Sequence, residues 1–253
     1  MPKQKKVSPE DRDQAQELAY DAMMSTDGEE VMRLCAQALK LDPRCTDAML
    51  IITRMPLDHD QAIKSLKQIV EMAYEDLGGA AFIEENRGDF WYLVETRPYM
   101  RARASLAMEY CDAGRLEEAI AECEGLLELN PDDHQAVRHT LLSAYLQLGD
   151  LAGLQALLPR FQVESEAIFA WAQVLERFAA GDEAGARRAL AVARNLNHHF
   201  EAYANGTRPL PPEQGGMYEK GEESEAAYIC SVIGESWLDQ PGLVDWLKQQ
   251  PAT

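Results

Sequence analysis

The residue types best suited to chemistry lie close together between residues 91 and 103. Arg97 and Arg101 are four residues apart, so their guanidinium groups share one face of a helix. Guanidinium groups bind carboxylates through two parallel hydrogen bonds. We therefore predict a carboxylate clamp formed by Arg97 and Arg101 and joined by Arg138. Its ligand would be an acidic side chain or the C-terminal carboxylate of a protein or peptide partner.

Neighbouring side chains extend this predicted binding site. Trp91, Tyr92 and Tyr99 supply aromatic surface that either anchors a partner or packs the segment against the rest of the fold. Glu95 lies between them and belongs to the same predicted site. A second interpretation of the arginines stays open, namely that they pair with carboxylates of their own chain. The carboxylates considered for that pairing are Glu95, Glu109, Asp132 and Asp133.

Residues that bind metals or attack substrates do not form a familiar pattern here. His134 and His139 are five residues apart and would lie about 140° apart around a helix, which does not suit a shared metal ion. The five cysteines are an odd number without a CxxC pair, and Cys35 and Cys123 fall on apolar helix faces. We expect no metal site, no cofactor and no enzymatic activity.

The elements that position these residues are predicted to be helices. Residues 115–129 place apolar side chains at steps of three and four, which is typical of an amphipathic helix. These side chains are Leu116, Ala119, Ile120, Cys123, Leu126 and Leu127. Pro131 ends the pattern, because the residue before a proline is driven out of the helical conformation. No sustained alternation with a period of two indicates strands.

A repeat emerges from the glycines at the predicted helix ends. Gly114, Gly149 and Gly181 are separated by 35 and 32 residues, which bracket the period of about 34 residues of a tetratricopeptide repeat. Each helix pair of such a repeat leaves an apolar face that the next pair must cover. We predict helix pairs at about residues 10–43, 46–77 (interrupted at Met55-Pro56), 97–130, 133–159 and 164–197.

The third pair resembles the tetratricopeptide repeat closely, and the segment before it carries a narrower likeness. Phe90-Trp91 and the run ETRPYMRAR at residues 95–103 are similar to the signature of a family of bacterial proteins that contain tetratricopeptide repeats. Residues 13–22, 129–136 and 206–211 also resemble segments of that family, whereas Asp89 and Tyr92 depart from its GHFWG-type stretch. The resemblance implies a tetratricopeptide-like scaffold with no activity or cofactor assigned to it.

We predict an all-α fold, a right-handed α-solenoid of antiparallel helix pairs. Its predicted parts are a flexible basic N-terminus at residues 1–9, repeats at 10–197 with an insertion at 78–95, an irregular acidic segment rich in proline and glycine at 198–223, and capping helices at 224–253. Pro98 suits the first turn of a helix, and Thr96 is the predicted N-cap.

The charge of the chain narrows its possible partners. A formal charge of -19 repels phosphate backbones and anionic lipids, so we expect neither nucleic acid nor a membrane as partner. The basic start is not followed by an apolar stretch, so we predict no signal peptide and a cytoplasmic protein.

The expected function is that of a non-enzymatic scaffold that binds a protein or peptide segment in the concave groove of the solenoid. Two alternatives stay open. One is a structural, self-assembling subunit such as a homodimer. The other is a small-ligand binder or an enzyme that uses the cluster from Glu95 to Arg101.

Overall fold

The computed structural model describes residues 7–53, 58–161, 165–212 and 217–251. In these residues the regular elements are helices and none is a strand, which confirms the predicted all-α class. The start of the predicted flexible N-terminus, the Met55-Pro56 interruption and residues 213–216 of the acidic segment lie outside them. None of the described helices combines the length and the apolar character that a membrane span requires.

The chain divides into two compact units, an N-terminal unit, Met1–Arg138, and a C-terminal unit, His139–Thr253. The helices of the N-terminal unit are α1 (Pro9–Met24), α2 (Gly28–Leu41), α3 (Thr46–Thr53), α4 (His59–Asp76), α5 (Ala80–Glu85), α6 (Arg97–Asp112) and α7 (Leu116–Leu129). α1 packs against α2, α3 against α4 and α6 against α7, so that contacting pairs occupy the predicted positions. The predicted insertion contains α5 and two short 3-10 turns, Phe90–Tyr92 and Val94–Thr96.

Small residues explain how the first pair forms. Ala15, Ala19 and Ala22 follow one another at steps of four and three, and each is at most 2% exposed. They form one face of α1 that packs against Cys35 and Ala38 of α2. Side chains this small let two helices approach closely and bury their backbones against each other.

The glycines of the predicted repeat end their helices in the same way. Gly114 follows α6 with a φ of 70°, a conformation that other residues rarely adopt. There the amide of Arg115 donates to the carbonyl of Tyr110 at 2.8 Å, the 6→1 bond of a Schellman motif. Gly149 and Gly181 repeat this geometry in the C-terminal unit, with φ of 69° and 76°.

Thr96 lies just before α6, and Pro98 lies in its first turn, as predicted. The prediction that the Thr96 side chain caps this helix is wrong. Its buried hydroxyl lies instead within hydrogen-bond reach of the carbonyls of Phe90 and, at 2.7 Å, Leu93. Both carbonyls also accept a backbone amide, that of Leu93 at 3.3 Å and that of Thr96 at 3.2 Å, and the hydroxyl adds further bonds that tie the insertion to the start of α6.

The C-terminal unit surrounds a cluster of large aromatic side chains. Its elements are α8 (Val137–Leu148, which begins at the end of the N-terminal unit), α9 (Leu151–Leu157), α10 (Ala167–Ala179), α11 (Glu183–Leu196), α12 (Glu201–Ala204), α13 (Glu223–Ile229), a π-helical turn (Cys230–Gly234), α14 (Glu235–Asp239) and α15 (Leu243–Lys248). Trp171, Phe200 and Trp237 are each 0% exposed and pack ring against ring. The segment predicted to be irregular, residues 198–223, contains the short helix α12.

Candidate functional site

The predicted site residues lie on α6 and in the insertion that precedes it. α6 contacts α3, and α3 contacts α1, so the first helices of three successive pairs lie side by side in the N-terminal unit. Side chains from these three helices meet across that face, and the site is built from them.

Arg101 on α6 is bound to a carboxylate of the same chain. Its Nε donates to Oδ1 of Asp47 at 2.7 Å, and its Nη2 donates to Oδ2. Asp47 lies in the first turn of α3 and is 0% exposed, and Gln16 of α1 donates to it at 2.6 Å. Burial works against the charge of the guanidinium, but the bonds to Asp47 outweigh burial and hold the pKa of Arg101 above its ordinary value. This buried pair ties the three first helices together.

Arg97 is held by an aromatic ring instead of a carboxylate. Its Nε donates to the carbonyl of Trp91 at 3.1 Å, and its guanidinium carbon lies 5.2 Å from the centre of the Trp91 ring. His134 stacks on that ring at 5.4 Å between centroids and 10° between planes. The Tyr92 hydroxyl donates at 2.7 Å to Asp132, which lies in the same loop as His134. Trp91 and Tyr92 therefore pack the insertion against the loop after α7.

Arg138 is also bound within the chain. Its Nη1 donates to Oδ2 of Asp133 at 2.9 Å, and its backbone amide donates to the same oxygen at 3.1 Å. Asp133 is 3% exposed and also accepts the amide of Val137 at 2.8 Å. Asp133 lies just before α8 and accepts the first two amides of that helix, so its pairing with Arg138 stabilises the start of α8.

Two of the three arginines, Arg101 and Arg138, bind carboxylates of their own chain, and Arg97 does not. Asp133 was among the four carboxylates considered, and it binds Arg138. The partner of Arg101 was missed, because Asp47 lies 54 residues earlier in the chain. The available signal was an aspartate at the start of an otherwise apolar helix, Thr46–Thr53, where a buried carboxylate requires a cation.

Of the two remaining predicted site residues, Tyr99 is buried and Glu95 is exposed. Tyr99 is 6% exposed and packs against the rings of Phe90 and Tyr74, with centroids 6.2 and 6.5 Å away. Burial raises the pKa of its phenol above the ordinary value. Glu95 is exposed and has no ion-pair partner among the described residues.

Glu95 and Tyr99 both line an open pocket of about 440 Å³ beside the buried pair. Its walls come from α1, the turn between α2 and α3, the end of α4, the insertion and the start of α6. The lining residues are Arg12, Asp13, Gln16, Tyr20, Asp42, Arg44, Cys45, Thr46, Ala73, Asp76, Leu77, Val94, Glu95, Pro98 and Tyr99. The volume falls within the range of about 300–1,000 Å³ that is typical of ligand pockets.

Metal binding and nucleophilic chemistry receive no support from the described residues. There, no group of three His, Cys, Asp or Glu side chains is placed to hold a metal ion. The cysteines are buried, and Cys35 and Cys123 are each 0% exposed, which confirms that these two are core residues. His139 is buried and lies between the Tyr228 hydroxyl at 2.7 Å and Glu166 at 3.4 Å.

We expect the thiols of the folded chain to react slowly and to react faster as the pH rises. Burial raises the pKa of Cys45 to about 11 and that of Cys230 to about 12. At pH 8 the Cys45 thiolate is then about a thousandth of the total, and this fraction grows about tenfold per pH unit up to pH 10. Labelling with Ellman's reagent, in native buffer and in urea, measures the effect. Fast, stoichiometric labelling of the native chain at pH 8 would contradict it.

A scan against protein-family models finds no match for this chain, and a search of curated proteins finds none either. Proposals about its function therefore depend on its own residues and their geometry.

Proposed function

We propose that the chain is a non-enzymatic repeat protein of tetratricopeptide type that binds a segment of a partner protein. The segment would lie across the face formed by α1, α3 and α6. The observation that supports this proposal most directly is the pocket of about 440 Å³ at that face. Because the pocket exists before binding, little ordering cost opposes association.

The proposal includes a right-handed α-solenoid whose concave groove contains the pocket. Successive helix pairs stack in such solenoids, and first helices become neighbours. The contacts from α1 to α3 and from α3 to α6 agree with that arrangement in the N-terminal unit. Thiols buried in the core, such as Cys35 and Cys123, suit the cytoplasmic location that completes the proposal.

The predicted arginine clamp takes a different place in this proposal. Arg101 and Arg138 bind Asp47 and Asp133, so the role of Arg101 is to join α6 to α3 and that of Arg138 is to stabilise the start of α8. Arg97 is the arginine of the three without a carboxylate within ion-pair distance among the described residues. It can still offer its terminal nitrogens to a partner while it rests on Trp91.

Filling the pocket is expected to weaken peptide binding. Val94 lines the pocket and is 56% exposed, so Val94→Trp places an indole in the groove at little cost to the fold. Peptides selected from a random library on the immobilised full chain supply the ligand. Val94→Trp is expected to weaken the selected peptides at least about tenfold in fluorescence anisotropy, equivalent to about 1.4 kcal/mol.

Met24→Trp is the matched control. Met24 is 83% exposed at the end of α1 and does not line the pocket, so the same indole there leaves the groove open. Its peptide affinity is expected to equal that of the unmodified chain. Equal affinity in both variants, or a library that yields no specific peptide, contradicts the proposed function.

A further inference from the structure

The pocket at α1, α3 and α6 carries more negative than positive charge. Its charged lining residues are the carboxylates Asp13, Asp42, Asp76 and Glu95 and the guanidinium groups of Arg12 and Arg44. Four carboxylates and two guanidinium groups leave a formal charge of -2. The charge of Arg44 is already neutralised within the chain. Its Nε donates to both oxygens of Asp76 at 3.0 Å, and its Nη2 donates to Glu75 at 3.1 Å.

Asp42 is the carboxylate that most needs a cation. It is 8% exposed, and its Oδ1 accepts the backbone amide of Arg44 at 2.9 Å. Its Oδ2 receives no hydrogen bond, and no cation lies within ion-pair distance, among the residues that the structure describes. Asp42 also follows the last residue of α2, where the helix dipole is negative. An oxygen of this carboxylate therefore stays available to a ligand at the pocket, and the nearby end of the helix dipole favours a ligand that carries a positive charge.

We infer that the pocket receives the positively charged side chain of a lysine or arginine in the partner segment. This inference rests on the proposed function and adds the chemistry of the partner to it. The ammonium or guanidinium group lies among Asp13, Asp42 and Glu95, which all line the pocket and have no cationic partner in the described chain. The ammonium or guanidinium group donates charge-assisted hydrogen bonds to Asp42 Oδ2, which otherwise accepts none from the described residues.

The rest of the lining suits the same side chain. Leu77, Val94 and Pro98 supply apolar surface in the same pocket. Lysine and arginine lay their methylene stems along such surface while the charged end reaches polar groups. An acidic side chain would instead enter a pocket lined by four carboxylates and two guanidinium groups, of which Arg44 is already bound to Asp76 and Arg12 alone could oppose the excess of negative charge.

Small probes test the charge preference without a peptide. n-Butylammonium, n-butylguanidinium, butyrate and 1-butanol share one stem and differ in the end group. They are titrated into the 15N-labelled full chain, and the amide signals of Arg44, Cys45, Thr46 and Glu95 are followed. The two cations are expected to shift these signals in a saturable way, whereas butanol and butyrate leave them in place.

Charge-neutral variants locate the effect. Asp42→Asn keeps the oxygen that accepts the Arg44 amide and removes the charge, and we expect it to weaken n-butylguanidinium about tenfold. Glu95→Gln acts at an exposed residue, so it tests the same point if Asp42→Asn lowers stability. Glu85→Gln is the control, because Glu85 is exposed, lies outside the pocket lining and removes one charge from the same chain.

The outcomes separate this inference from the proposed function. Binding of butyrate or butanol at these amides, or equal effects of Glu85→Gln and Asp42→Asn, would overturn the cationic ligand. The peptide assay with Val94→Trp would still report on segment binding. A triple variant with Lys3, Lys5 and Lys6 changed to glutamine checks the chain's own basic start. Unchanged probe affinity supports a partner, whereas a gain in affinity would show that the chain occupies its own pocket.

Discussion

Replacing Arg101 with alanine is expected to lower the free energy of unfolding by about 3–5 kcal/mol, because it leaves a charge buried without a partner. Asp47 is 0% exposed and takes hydrogen bonds from Arg101 and Gln16. Without the guanidinium, Gln16 alone cannot compensate for the loss of hydration of the carboxylate. Urea denaturation of the full chain, followed by circular dichroism, measures the change.

Two comparisons isolate this pair. Arg103 lies on the same helix and bonds to Glu122 at 2.7 Å, but the Glu122 side chain is 25% exposed whereas that of Asp47 is 0% exposed, so Arg103→Ala leaves a hydrated carboxylate and should cost only about 1 kcal/mol. The double variant Asp47→Leu/Arg101→Met removes both charges and should be more stable than Arg101→Ala, because buried pairs can be exchanged for apolar residues. A loss below 1 kcal/mol for Arg101→Ala contradicts the described burial of the pair.

Replacing Trp171 with alanine is expected to lower the free energy of unfolding by about 3–5 kcal/mol, because the change empties the centre of the C-terminal unit. The Trp171 ring is 0% exposed and lies 5.0 Å from Phe200 and 5.5 Å from Trp237 between centroids. Its Nε1 also donates to the carbonyl of Asn197 at 3.0 Å, so truncation leaves a buried acceptor unpaired. The same denaturation experiment applies.

Trp171→Phe keeps a ring at the centre of this core. Phenylalanine retains part of the aromatic contact but loses the pyrrole half of the indole and its Nε1 donor, so we expect a smaller loss of about 1–2 kcal/mol. If Trp171→Phe is as destabilising as Trp171→Ala, the six-membered ring alone does not stabilise this core. If neither variant loses more than about 0.5 kcal/mol, the cluster does not organise the unit.

The helices themselves follow from local patterns that can be recognised in the sequence. The stripe at residues 115–129 becomes α7, and Gly114, Gly149 and Gly181 end helices with positive φ. Amphipathic periodicity and a glycine without a Cβ act within one or two helical turns, so neighbouring residues determine them. Thr96 shows that prediction from neighbouring residues can fail even at short range. Its hydroxyl bonds to carbonyls of the insertion and not to the N-terminal amides of α6.

Alone, the sequence determined the helical class, the helix positions and the concentration of arginines and aromatic residues around α6, because these depend on local periodicity and residue type. Only the tertiary structure decided which charges meet. Asp47 and Arg101 are 54 residues apart, and the carboxylates of the pocket come from α1, the turn after α2, α4 and the insertion. Ion pairs depend on distance and burial in space, so an arginine expected to bind a partner's carboxylate instead neutralises one inside, and the pocket beside it keeps a negative charge.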